Sequence, residues 1–136
     1  MDELVIEATR ENLPKVISFV NEHLEAADCN MRTQIQIDIA VEELFINISS
    51  YAYDPEIGTA VVQVTVTDEP LSVEITFIDN GRQYDPLAKE DPDITLPINK
   101  RKKGGLGIFM VKKSMDDIHY EYADGKNILT IKKNLS

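Results

Sequence analysis

Tryptophan is absent from this chain, and cysteine occurs once, at Cys29. A single thiol closes no internal disulfide and supplies no cysteine cluster for zinc. Nothing around Cys29 marks it as a nucleophile, so it reads as inert. Long apolar runs are missing as well: none approaches the roughly 18–20 residues that a membrane-spanning helix needs. The opening residues, Met-Asp-Glu-Leu-Val-Ile, are acidic where a secretory leader is basic, so a cytoplasmic location is expected. Cations are scarce. Lys and Arg number 14 against 24 Asp and Glu, a net charge of −10. That balance argues against a coat for nucleic acid or anionic membrane, yet leaves room for a local basic site.

What is present is ordinary globular material. Hydrophobic residues make up 43 % and charged residues 28 % of 136 positions, enough for one domain, 1–136, with one core. Glu3–Ala8 alternates and reads as a strand. About Asn12 to Ala27 reads as a helix, with Pro14 in its first turn and Leu13, Val16, Ile17, Val20 and Leu24 at helical spacing. A second helix is expected from about Arg32 to Ala52, its stripe being Ile35, Ile39, Leu44, Phe45 and Ile48. Ala60–Thr67 and Leu71–Ile78 alternate as two strands around a turn at Asp68-Glu69-Pro70.

The stretch from Asp79 to Lys103 carries Pro86, Pro92 and Pro97 and little periodicity. At about 25 residues it is too long for a passive connector. Leu106–Met115 reads as a helix, and Ile118–Tyr122 with Asn127–Lys132 as a hairpin turning at Asp124-Gly125. This order does not alternate as parallel units do. It predicts an α+β fold, a two-layer sandwich with helices on one face of a mixed, mostly antiparallel sheet.

Three segments carry chemistry. Glu43 and Asn47 stand four apart and so share one helix face; a solvated stripe is the plain alternative. Asp79-Asn80-Gly81 ends the strongest strand. It reads as a turn, or as an acceptor carboxylate followed by a glycine that admits a ligand close to the backbone. Gly104-Gly105-Leu106-Gly107 opens a helix after Lys100-Arg101-Lys102-Lys103. It reads as a hinge beside a solvated basic run, or as helix-start amides that bind phosphate beneath a locally positive potential. Neither a P-loop nor a dinucleotide fingerprint is present.

Glu43-x3-Asn47, Asp79-x-Gly81 and Gly105-x-Gly107, in this order, resemble the Bergerat-fold, histidine-kinase-like ATPases. Within them the chain resembles the small anti-sigma-factor serine/threonine kinases of bacteria. The matching stretches are Ala40–Asn47, Ile78–Pro86 and Gly105–Asp116, and the resemblance runs through essentially the whole chain. It implies ATP and Mg²⁺ as cofactors. Asn47 would ligate the metal, and Glu43 would be the general base. Asp79 would read the adenine amino group, with Gly81 and Tyr84 beside the base. Arg101, Lys103, Gly104, Gly105, Leu106 and Gly107 would surround the phosphates. Lys103 stands where relatives often carry arginine, and Arg101 could serve instead. Tyr51 replaces a frequent histidine and Tyr84 the usual phenylalanine.

The partners so implied are a sigma factor or similar regulator and an anti-sigma antagonist that accepts phosphate, with a homodimer suggested and neither nucleic acid nor membrane. Two other readings stand beside this one. One is a non-catalytic ATP-binding partner switch. The other is a detached ATPase domain of a histidine-kinase-like phosphorelay, against which Glu43 speaks, because histidine kinases usually carry asparagine there.

Overall fold

The computed structural model describes residues 1–53, 56–88 and 105–135. In chain order these form β1 (Asp2–Glu7), α1 (Leu13–Ala26), α2 (Met31–Asn47), β2 (Thr59–Thr67), β3 (Ser72–Asp79), α3 (Gly105–Ser114), β4 (Asp117–Ala123) and β5 (Lys126–Asn134). The sheet runs β1-β2-β3-β5-β4, and every neighbouring pair is antiparallel. The expected two-layer α+β sandwich is therefore observed, with no parallel pair among the described strands.

Register decides what each strand presents to the helices. Val62, Phe77, Leu129 and Tyr120 are successive cross-strand neighbours, and so are Val64, Ile75, Ile131 and Ile118. Strand side chains alternate between faces, so these rows form one inner face. Val62, Val64, Ile75 and Ile131 are at most 1 % exposed. Helix α1 closes on that face with Val16, Val20 and Leu24, and α2 with Ile37, Ala40, Val41, Leu44 and Phe45. Ile108 and Val111 bring α3 into the same core.

Local chemistry fixes the helix ends. Pro14 occupies the first turn of α1, where its missing N–H costs nothing. The side-chain oxygen of Asn30 accepts from the Thr33 amide at 2.9 Å and caps α2. Lys133 donates from Nζ to the Ser114 carbonyl at 2.7 Å, covering an orphan acceptor at the end of α3. The His23 ring lies between the Phe19 carbonyl (2.9 Å) and the Asp2 carboxylate (2.7 Å), joining α1 to the first strand.

Two expectations change. The second helix does not run unbroken to Ala52: α-helical geometry ends at Asn47, and Ile48–Ala52 form a wider π-helical turn. Its apolar stripe is also rotated. Ile37 and Val41 are buried, whereas Ile35 and Ile39 are 49 % and 51 % exposed.

Candidate functional site

The innermost sheet row nearest the loop ends is polar. Along β3 the inward positions read Val73, Ile75, Phe77 and then Asp79, and along β5 they read Ile131, Leu129 and then Asn127. Asp79 and Asn127 are direct cross-strand partners and only 5 % exposed each. Asp79 thus closes the strand as an inward acceptor rather than as a solvent turn. Asn127 spends all its hydrogen-bonding capacity on this corner. Its Nδ2 donates to Asp79 Oδ1 (2.9 Å) and to the Arg82 carbonyl (2.8 Å). Its Oδ1 accepts from the Tyr84 amide (3.1 Å) and from the Tyr120 hydroxyl.

The Gly81 amide also donates to Asp79 Oδ1, at 2.9 Å. Two donors therefore converge on one carboxylate oxygen, which fixes the orientation of the group. Burial pushes the Asp79 carboxyl above its usual range, and the bonds from Asn127 and Gly81 offset part of that rise.

The loop after β3 is locked to the π-helical turn after Asn47. A Cβ at Gly81 would overlap the backbone carbonyl of Ala52. The Arg82 amide donates to that same carbonyl at 2.9 Å. The Tyr53 hydroxyl accepts from the Asn80 amide at 2.8 Å and donates to the Thr59 carbonyl at 2.7 Å. Gly81 is therefore required here by the approach of protein backbone to protein backbone.

These elements surround one apolar cavity of about 40 Å³. Asn47, Asp79, Tyr84, Tyr120 and Asn127 are its polar or aromatic lining, beside Leu44, Phe77 and Leu129. Tyr84 also stacks on Tyr51, ring centres 5.4 Å apart. The volume suits a few waters rather than a purine, so admitting a base requires the lining to open.

Glu43 lies one helical turn before Asn47. A Cβ on Gly107 would overlap its carboxylate, so Glu43 packs against the first turn of α3, where Gly105, Leu106 and Gly107 begin the helix. A carboxylate is at home beside the free amides of a helix start.

The structure therefore brings Asn47, Asp79 and Tyr84 to one cavity and Glu43 to Gly107, with Gly81 locked against Ala52. Gly105 and Leu106 open α3. Arg101, Lys103 and Gly104 lie outside the described residues. Asn127, Tyr120 and the π-helical turn were not singled out from sequence. Asn127 left one signal there: it is the polar member of an otherwise apolar alternation with Leu129 and Ile131.

The donors suit Mg-ATP. Asn47 Nδ2 is buried and has no hydrogen-bond partner among the described residues, an orphaned donor that an acceptor such as a phosphate oxygen would satisfy. The side-chain oxygen of Asn47 is the type a hard cation takes. Asp79 offers an oriented acceptor within an apolar wall, as an amino-bearing heterocycle needs.

Residues 6–133 match the family described as the histidine kinase-like ATPase domain. The chain belongs to that family. Within the histidine kinase-like ATPases it is similar to the serine/threonine-protein kinase BtrW of Bordetella bronchiseptica. The two are 27 % identical over 111 residues, which cover 81 % of this chain and 78 % of BtrW. It is also similar to the serine-protein kinase RsbW of Bacillus cereus, 31 % identical over 98 residues, 69 % of this chain and 60 % of RsbW. The chain thus spans about three-fifths of that relative's length.

Two solved structures share the fold. The RsbU and RsbW domains of Rv1364c from Mycobacterium tuberculosis superpose with a TM-score of 0.66 at 19 % identity, over 99 % of this chain and 33 % of that one. The histidine kinase domain of the blue-light-activated kinase EL346 from Erythrobacter litoralis gives 0.53 at 18 % identity, over 76 % and 45 %. Membership in this family supports nucleotide binding and kinase or ATPase chemistry in general. No described helix is long and apolar enough to cross a membrane.

Proposed function

We propose that this ATPase-family chain is an anti-sigma-type protein kinase. It would bind Mg-ATP, hold a sigma factor or similar regulator, and phosphorylate an antagonist protein on serine or threonine. The observation that carries the reading is the approach of the Glu43 carboxylate, one turn from Asn47, to Gly107 in the first turn of α3. It supports a base role for Glu43, because that carboxylate lies near a helix start whose amides suit phosphate. The serine kinases BtrW and RsbW among the relatives support the same assignment.

Bound Mg-ATP supplies the transferable phosphoryl group and, through the metal, neutralises part of its charge. The chain's own residues do the rest. Asn47 would hold the metal by its side-chain oxygen. Asp79, oriented by Asn127 and Gly81, would accept from the adenine amino group, while Tyr84 and Tyr120 would wall the base. Glu43 takes the proton of the acceptor hydroxyl. The amides of Gly105, Leu106 and Gly107 would cradle the phosphates, and the family resemblance would add Gly104 to them. Arg101 and Lys103, which precede α3 in the sequence, would add positive charge.

A homodimer forms part of the proposal. The sheet face away from the helices carries Val5, Val61, Ile78 and Ile128 in register across four strands. Val5 is 61 % exposed. Such a row is suited to burial against a second copy. The protein would act in the cytoplasm, with its regulator.

Transfer of radiolabelled γ-phosphate from ATP to candidate antagonist proteins tests the reading. Wild type should label serine or threonine. Glu43→Gln should lower transfer by about 10²–10⁴-fold while keeping ATP affinity. Asn47→Ala should lose the Mg²⁺ dependence of binding. A wild-type protein that binds no ATP sinks the proposal. ATP binding without transfer to any acceptor would leave a partner switch, and transfer to histidine a phosphorelay.

A further inference from the structure

Helix α2 faces two ways. Its buried side meets the sheet, but Met31, Ile35 and Ile39, at successive steps of four, are 70 %, 49 % and 51 % exposed. Residues so spaced form one row along a helix. Beside that row α1 sets Leu13, Pro14 and Ile17, and the two helices bound an open groove of about 370 Å³. Single exposed apolar residues are common. A continuous row facing a second apolar set is not scatter, and marks an interaction surface.

The remaining lining is acidic, Asp38 and Glu42. The cations of the two helices, Lys15 and Arg32, are not among the lining residues. Asp38 is poorly satisfied. One carboxylate oxygen receives a long 3.4 Å bond from Asn21 Nδ2, and the other has no hydrogen-bond partner among the described residues. Burial raises its pKa first, and the nearby Glu25 adds to the rise. Asp38 and Glu42 nevertheless give the groove a negative lining, which favours a cationic occupant over an anionic one.

A second copy of the chain fits this groove badly. A two-fold contact with its axis at the acidic end of the groove would set Asp38 and Glu42 of one copy near the same residues of the other. We propose that the groove between α1 and α2 docks a basic amphipathic helix of a partner protein. Its apolar side chains lie along Ile35 and Ile39, and its Lys or Arg residues face Asp38 and Glu42. This is helix-in-groove recognition, in which an apolar stripe supplies the contact and flanking charge the selectivity. It does not depend on kinase activity.

The test uses two labelled helical peptides with the same leucine stripe, one flanked by lysines and one by glutamates, titrated into the full chain by fluorescence anisotropy. The lysine peptide should bind, and the glutamate peptide should bind at least about fivefold more weakly. Ile39→Glu and the milder Ile35→Ser should weaken the lysine peptide while leaving the chain folded, since about half of each side chain is exposed. Asp38→Asn combined with Glu42→Gln should abolish the discrimination between peptides and its salt dependence. Equal binding of both peptides, binding of neither, or indifference to Ile39→Glu overturns the proposal. So does a self-association in sedimentation that Ile39→Glu removes, because the occupant would then be a second copy.

Discussion

Asn127 and Asp79 face each other across two antiparallel strands, and one amide hydrogen of Asn127 holds Asp79 Oδ1 at 2.9 Å. The carboxylate is therefore oriented from β5, not by the residues that surround it in sequence. Asn127→Leu keeps the volume but strips four hydrogen bonds from a buried corner. It should cost about 1–3 kcal/mol of stability, read by thermal or urea unfolding. ATP affinity should fall by about tenfold, the equivalent of one charge-assisted bond, read by calorimetry. If affinity stays while stability drops, Asn127 is structural only and does not position Asp79.

The raised pKa of Asp79 has two opposite consequences with pH. The native carboxyl takes a proton more readily than the unfolded one, so its penalty on stability is full above the raised value and is relieved as pH falls through that value toward the ordinary carboxylate range. A protonated Asp79 is a poorer acceptor, so nucleotide binding should weaken over that same acid range. Asp38 is raised as well and adds to the stability trend. The comparison is therefore wild type against Asp79→Asn, whose binding should be weaker and flatter with pH. Parallel pH profiles for the two proteins would contradict this.

Gly81→Ala and Gly107→Ala should separate cleanly. At Gly81 the added methyl meets the Ala52 carbonyl, which belongs to the backbone and cannot swing aside. The expected cost is about 1–3 kcal/mol, seen as a lower melting temperature.

At Gly107 the methyl meets only the end of the Glu43 side chain, which can rotate away. Folding should change little there, while phosphoryl transfer falls because the base is displaced. Equal melting losses in the two variants would refute the distinction.

The sheet was legible in the sequence because alternation has a fixed period of two. The inward rows Val62, Val64 and Ile75, Phe77 follow from it directly. The arc of a helix that meets the sheet is harder to read. Ile35, Ile37, Ile39 and Val41 are all apolar, so composition leaves more than one stripe open, and tertiary packing chose Ile37 and Val41. The motif residues Glu43, Asn47, Asp79 and Gly81 stand out by spacing and residue type. What fixes them does not. Asn127 acts across a strand pairing 48 residues distant in sequence from Asp79, and the π-helical turn has no signature in residue type. The structural reason for Gly81, the nearness of Ala52, could not be read from its local sequence.

That π-helical turn makes part of the site depend on counting. Between Asn47 and Tyr53 the chain fits five residues, Ile48–Ala52, into a widened turn. Loss of one would let the α-helix continue and rotate everything beyond it by about 100° about the helix axis. The Ala52 carbonyl would leave Gly81 and Arg82, and Tyr51 would leave Tyr84, with no contacting side chain altered. The segment should therefore accept changes of residue more readily than changes of length.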